Sequence, residues 1–183
     1  MNYRNLYYAF VVFVLLVTTL YEVKEIVNIN KLKSIEIPRA KITSSAPPCL
    51  RMYDAIMKWS SIYQIPRSYA FGIASKETGY RGPFHWKYKH TQTSCVGAIG
   101  PMQIMPSTAD LMWKHKKVSI VKLMNDVDFN VHTSMKLLRV LHDKYRDWKI
   151  VFGCYNTGRP MINKYAIDVF NHKPTWKLNT ESL

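Results

Sequence analysis

Over residues 50–170 apolar residues recur at helical spacing, and no stretch alternates apolar with polar as a half-buried strand would. That pattern confines the chain to a small, mainly α domain. Leu50, Tyr53, Ile56 and Met57 share a face of a first helix, which Pro66 is expected to stop. Ser68 is expected to cap the next, where Ala70, Ile73, Ala74 and Glu77 fall at i, i+3, i+4 and i+7. A loop rich in Gly, His and Thr follows over 79–100. Further helices are expected from Pro106-Ser107 with Leu111 and Met112, and from an Asp128 cap with Val131, Met135, Leu138, Leu141 and Tyr145. Residues 148–155 and 161–170 complete the helical pattern.

Upstream the chain is of another kind. Residues 6–21, LYYAFVVFVLLVTTLY, are 16 residues without a charge and apolar on every face. As a helix the run is about 24 Å long. That is short of the roughly 30 Å hydrocarbon core of a bilayer, and Tyr7, Tyr8 and Tyr21 extend it at the interfaces. No A-x-A-like site follows, so residues 1–21 read as an uncleaved membrane anchor, with a cleaved signal segment as the competing reading. Residues 22–48 end in KITSSAPP and read as a linker, Pro47-Pro48 marking the start of a globular domain at 49–183. Arg4 precedes the apolar run and Lys24, Lys31 and Lys33 follow it, so charge leaves the topology open.

The 183 residues include 26 Lys+Arg against 12 Asp+Glu, a net charge of +14. Residues 49–183 hold 20 of the cations and 9 of the acids, hence +11 of that charge. Such an excess suits an anionic partner: nucleic acid, lipid or an acidic envelope. The densest cluster is only Lys114, Lys116 and Lys117, and no nucleic-acid motif is present, so nucleic acid is not expected as a partner. Three cysteines fit neither a disulfide scaffold nor a zinc site. Cys49 and Cys95 can pair only outside the cytoplasm, and Cys154 reads as a buried thiol. His85 and His90 have no third ligand at hand, so no metal or cofactor is expected.

The informative oddity is Glu77, which ends an otherwise small and aliphatic helix face and is the only Glu between Glu36 and Glu181. Acids are rarely buried unless paired or functional. A half-buried carboxyl at a helix end should have a raised pKa and can act as a general acid, although from this feature alone a structural pair with Lys or Arg is the commoner case. Two later segments bear on the choice. Gly97-Ala98-Ile99-Gly100-Pro101-Met102-Gln103-Ile104-Met105-Pro106 sets a thioether and an amide after a tight glycine turn. Gly153-Cys154-Tyr155-Asn156-Thr157-Gly158 sets a phenol and an amide before a glycine break. Flat apolar surface mixed with amides and hydroxyls is what sugars require.

In this order, Glu77-Thr78-Gly79-Tyr80, 97–106 and Tyr155-Asn156-Thr157-Gly158 resemble the motifs of the lytic transglycosylase (SLT-type, lysozyme-like) family. Asp126-Val127-Asp128-Phe129-Asn130 is similar to the segment that opens its long helix, and the resemblance covers about 49–170. It implies a lysozyme-like transglycosylase domain acting on peptidoglycan glycan strands at the bond between N-acetylmuramic acid and N-acetylglucosamine. Glu77 matches the single catalytic acid, which closes a 1,6-anhydro ring with help from the substrate's N-acetyl group. Thr78, Gly100, Met102, Gln103, Tyr155 and Asn156 match residues that hold the glycan and orient the acid. The implied setting is the periplasm or cell envelope, with murein remodelling, secretion, conjugation or phage assemblies as compatible partners. Pro101 and Cys154 depart from the usual Leu and Ala. The loop after Glu77 is long and carries His85, Trp86, Tyr88 and His90, a glycan-contacting lip or an irregular surface loop. Two other functions compete. One is a hydrolysing muramidase with a second carboxylate from Asp54, Asp110, Asp126 or Asp128; the other is a non-catalytic basic binding module.

Overall fold

The computed structural model describes residues 45–114 and 116–176, which belong to a unit running from Ile42 onward. The expected anchor at 6–21 and most of the linker at 22–48 lie outside the described residues. Among the described residues no helix is long and apolar enough to cross a membrane. The helices are α1 (Pro48–Ile62), α2 (Arg67–Thr78), α3 (Pro106–Met112), α4 (Ile120–Asn125), α5 (Val127–Tyr145), α6 (Trp148–Thr157) and α7 (Lys164–Phe170). The only β pairing among the described residues is two isolated bridges, Thr93 with Ile99 and Ile99 with Ile104. The mainly α expectation holds.

Helix α5 is the axis. It packs against α1 on one side and α6 on the other, α6 packs on α7, α7 on α2, and α2 on α1, closing a ring of five helices. The interior takes Met52 and Ile56 from α1, Ile73 from α2, Val131, Met135 and Leu138 from α5, and Phe152 from α6, all wholly buried. Each such side chain removes apolar surface worth about 1.5–3 kcal/mol. The ring closes tightly because two helix glycines let the segments on either side of α7 approach. A Cβ on Gly153 would collide with the Met161 carbonyl, and one on Gly72 would meet the His172 Cβ at 2.9 Å.

Several local expectations are corrected. The buried face of α1 is Cys49, Met52, Ala55, Ile56 and Ser60, with Leu50, Tyr53 and Met57 only half-buried at its edge. Small Cys and Ala were the residues that let the neighbouring helix approach, and an aliphatic count overlooks them. Pro66 does not stop α1, which ends at Ile62 before Gln64 turns left-handed (φ 54°). Pro66 itself is the residue before α2, so Ser68 sits in the first turn and caps nothing. Its ring fixes φ near the value this junction needs. The cap of α5 is Asp126, which accepts from the Phe129 amide at 3.0 Å. Asp128 instead accepts from Trp59 Nε1 at 3.0 Å and pairs with Lys58 at 3.2 Å. Helix α4, capped by Ser119, had no apolar period long enough to announce it. Residues 161–163 are not helical, because Asn163 caps α7 by accepting from the Ala166 amide. Cys49 is buried and Cys95 exposed, and both thiols are free, so the disulfide considered between them is absent.

The long connection between α2 and α3 is pinned from beneath by Asn130, a fully buried amide on α5. Its Nδ2 donates to Ile99 O and Leu123 O, each at 2.9 Å, and its Oδ1 accepts from the Met102 amide at 3.0 Å. Gly100 (φ 79°) lies directly over it, and any Cβ there would strike the Asn130 amide and the Leu123 carbonyl. Replacing Asn130 by Ala removes the partner of the Met102 N–H and the side-chain donor to Leu123 O, each costing about 1–3 kcal/mol, whereas Ile99 O keeps the Ile104 amide at 3.0 Å. Asn130→Ala is therefore expected to lose at least ~2 kcal/mol of stability in urea unfolding.

Candidate active site

The turn over 97–106 gathers polar side chains from three helices. From α2, Thr78 Oγ1 donates to Pro101 O at 2.8 Å and takes the Tyr88 hydroxyl, also 2.8 Å away. A threonine hydroxyl has one proton, so Tyr88 is the donor to Thr78. From α6, the Tyr155 hydroxyl donates to Met102 O at 2.7 Å. That uses the phenol's only proton, so Ser134 Oγ of α5, at 2.9 Å, donates to Tyr155. Gln103, in a left-handed conformation (φ 50°), turns its Nε2 back onto Gly100 O at 2.8 Å and Gln92 O at 3.1 Å. Gln92 in turn donates to Thr78 O at 3.2 Å.

Glu77 stands beside this knot, in the last turn of α2 and two residues before Gly79, whose left-handed conformation (φ 67°) ends the helix. It is half-buried, and its Oε1 accepts from the Tyr165 hydroxyl of α7 at 2.5 Å. Burial raises the Glu77 pKa above the ordinary 4.5, and the Tyr165 bond opposes it in part. The negative end of the α2 dipole acts in the same direction as burial. Burial, then the nearby Glu77 charge, holds the Tyr165 and Tyr155 phenols well above their ordinary range, so both remain donors. The arrangement is a carboxyl kept ready to carry a proton, aimed by a phenol that cannot lose its own.

Among the described residues no cation pairs with Glu77, the alternative that its burial alone had left open. Lys76, its neighbour, bonds Asp168 at 2.8 Å, and Lys164 joins the same acid. Three of the four candidate second carboxylates are engaged elsewhere: Asp110 accepts from the Val118 amide, Asp126 caps α5 and Asp128 holds Lys58 and Trp59.

Of the sequence-derived site residues, Thr78, Gly100, Met102, Gln103 and Tyr155 meet at the turn, but not all face outward. Met102 is wholly buried in the core and Gly100 is covered by Asn130, so both support the site from behind. Gln103 and Tyr155 are partly exposed, and Asn156 is exposed, its Oδ1 accepting from Asn163 at 3.0 Å. Cys154 is half-buried rather than buried. Tyr165, Ser134 and Gln92 were not singled out. A tyrosine 88 residues from Glu77, in a short helix without a flanking motif, gave no local signal.

The family model of the transglycosylase SLT domain matches residues 54–178, and the chain belongs to that family. No curated protein matches it significantly. Among solved structures it is similar to an inactive Glu-to-Gln mutant of the lytic transglycosylase Slt from Pseudomonas aeruginosa, at 22% identity and a TM-score of 0.46, over 57% of this chain and 16% of that one. It is similar also to the 70-kDa soluble lytic transglycosylase SLT70 of Escherichia coli, at 26% identity and a TM-score of 0.48, over 64% of this chain and 18% of that one. The chain thus corresponds to less than a fifth of the length of either protein.

Two outcomes are expected of this site. The native state holds the Glu77 proton more tightly than the unfolded chain does, so that contribution is complete below the ordinary 4.5 and is lost as pH rises through the raised value. Glu77→Gln should therefore melt above the unsubstituted chain at neutral pH, with the gap in Tm closing as pH falls toward the ordinary carboxyl range. Tyr165→Phe removes the bond that lowers the Glu77 pKa. Once a turnover assay is running, the alkaline limb of kcat/KM should move to higher pH, while kcat falls about tenfold from the loss of aim.

Proposed function

We propose that this chain is a peptidoglycan lytic transglycosylase with Glu77 as its single general acid and base. Membership of the SLT family supports the reaction class, and the observation that carries the assignment of Glu77 is its half-buried carboxyl on the Tyr165 hydroxyl, with its proton affinity raised by burial. In the first step Glu77 gives its proton to the glycosidic oxygen between N-acetylmuramic acid and N-acetylglucosamine, and the leaving sugar departs with it. The N-acetyl carbonyl of the substrate covers the developing positive charge at C1. In the second step the Glu77 carboxylate takes the proton of the muramic C6 hydroxyl, whose oxygen closes on C1 as the 1,6-anhydro ring. No water is consumed, and the acid is restored. A second carboxylate has no task in this sequence, in contrast to the two-carboxylate scheme of ordinary glycosidases.

Within this reading Thr78 and Tyr155 fix the position of Glu77 through the turn, Gly100 and Met102 form its backing, and Gln103 and Asn156 present amides to the strand. The excess of Lys and Arg in 49–183 suits the anionic wall polymer. Residues 49–183 are taken as the catalytic domain, 22–48 as the linker and 6–21 as a membrane anchor that holds the domain at the periplasmic or envelope side. A secretion, conjugation or phage assembly is a compatible partner for such a chain.

The test is the product. Purified full-length protein incubated with murein sacculi is expected to release muropeptides carrying the anhydro ring, identified by mass spectrometry. Glu77→Gln is expected to reduce that release at least ~10²-fold, the scale of a lost general acid. Products bearing one added water would identify a hydrolase. Near-normal release by Glu77→Gln would remove Glu77 from the mechanism.

A further inference from the structure

The loop that leaves Glu77 is longer than the motif pattern requires, and it is held as a stiff arch. Tyr80, 1% exposed, donates its hydroxyl to Cys49 O at 2.8 Å, and Tyr88, 4% exposed, donates to Thr78. Gln92 ties the far limb to Thr78 O and Lys89 O. Between these feet successive turns close through His85 N to Gly82 O, Trp86 N to Phe84 O and Tyr88 N to His85 O. The Trp176 ring lies where a side chain on residue 82 would be, so only glycine fits under it.

On this arch the aromatic residues part company. Tyr80 and Tyr88 point down, whereas Phe84 and Trp86 are 59% and 63% exposed at the crest. Holding rings of this size in water forgoes about 1.5–3 kcal/mol each, although the same loop buries two other rings a few residues away. Arg81, Lys87 and Lys89 are exposed between and beside them. Trp86 is two residues from Tyr88, so their Cα atoms lie within about 7 Å, and Tyr88 bonds the residue next to Glu77. The arch that carries the exposed pair is thus tied to the last turn of α2, which holds Glu77, whereas Val140 lies on α5.

We propose that Phe84 and Trp86 form an additional glycan subsite that takes pyranose rings of the strand to one side of the bond that Glu77 cleaves, a proposal that rests on the glycan-cleaving reading above. The apolar CH faces of the sugars lie against the rings, and Lys87 and Lys89 meet carboxylates carried on the strand. Because the arch is already fixed by its feet, the aromatics lose little freedom when they bind. The subsite lengthens the stretch of polymer that the enzyme grips and favours long strands over short fragments.

The test compares full-length protein, Trp86→Ala, the double variant Phe84→Ala with Trp86→Ala, and Trp86→Tyr, on glycan strands of graded length. Both positions are exposed, so folding should be preserved, and Val140→Ser serves as the surface control. For long strands the double variant is expected to raise KM ~10-fold with kcat within about twofold. Trp86→Tyr should recover most of the loss, and the shortest cleavable fragments should show little change. An unchanged KM on long strands, with the unsubstituted protein active, overturns the subsite. Unchanged KM with weakened binding to anionic lipid vesicles would assign the crest to a membrane surface and also overturn it. If the unsubstituted protein releases no product, the glycan-cleaving reading fails. Cosedimentation of the same variants with sacculi then decides the crest by itself, ~10-fold weaker binding supporting it and equal binding refuting it.

Discussion

Everything at the site hangs from one buried amide. Asn130 has three backbone partners on two separate segments, and its one side-chain amide reaches all of them. By fixing Ile99 and Met102 it presents the carbonyls of Pro101 and Met102 to α2 and α6. Thr78 and Tyr155 then take those carbonyls, and with them the last turns of α2 and α6 become fixed relative to α5. Glu77 is carried along because it is covalently next to Thr78. A polar network of this kind is worth having only when complete, since a half-satisfied one costs more than an apolar core. Here its members donate in one order only: Ser134 to Tyr155 to Met102, and Tyr88 to Thr78 to Pro101.

The scarcity of acid has a complementary logic. Asp126 and Asp147 are spent on helix caps, Asp110 on the Val118 amide, and Asp128, Asp143 and Asp168 on cations. Among the described residues Glu77 is set apart by its partner, the hydroxyl of a neutral phenol. A phenol orients a carboxyl without a positive charge to stabilise its ionised form, so proton affinity and aim are set by different neighbours. Burial supplies the first, and Tyr165 the second at a modest cost to it.

How much of this the amino-acid order discloses depends on range. Helical spacing is local, so α2, α3, α5 and α6 were legible, and Glu77 stood out because its face was otherwise aliphatic. The turn at 97–106 was legible because glycines occupy two of its left-handed positions, Gly97 and Gly100, although Gln103 takes a third. Caps were less so: Asp126 and Asp128 both precede the apolar period of α5, and only the distance to the Phe129 amide separates them. Contacts across the ring of helices were not legible at all. Nothing near Tyr165 marks it as the partner of a residue on α2, and Met102 and Gly100 looked like ligands for glycan until their burial showed them as backing. The long loop was visible as a loop, but which of its aromatics are feet and which are crest is decided by hydroxyls. Tyr80 and Tyr88 have oxygens that can satisfy buried carbonyl and hydroxyl partners, whereas Phe84 has none and Trp86 stays outside.

Trp176 stands in an unusual mechanical position. It follows the last helix, yet its ring packs edge-on against Phe71 at 5.0 Å and Tyr80 at 6.2 Å while roofing Gly82. The chain beyond α7 is thus riveted to the foot of the arch as well as to α2. A change at Trp176 would therefore be felt at the foot of the arch, three residues from Glu77, as well as at α2.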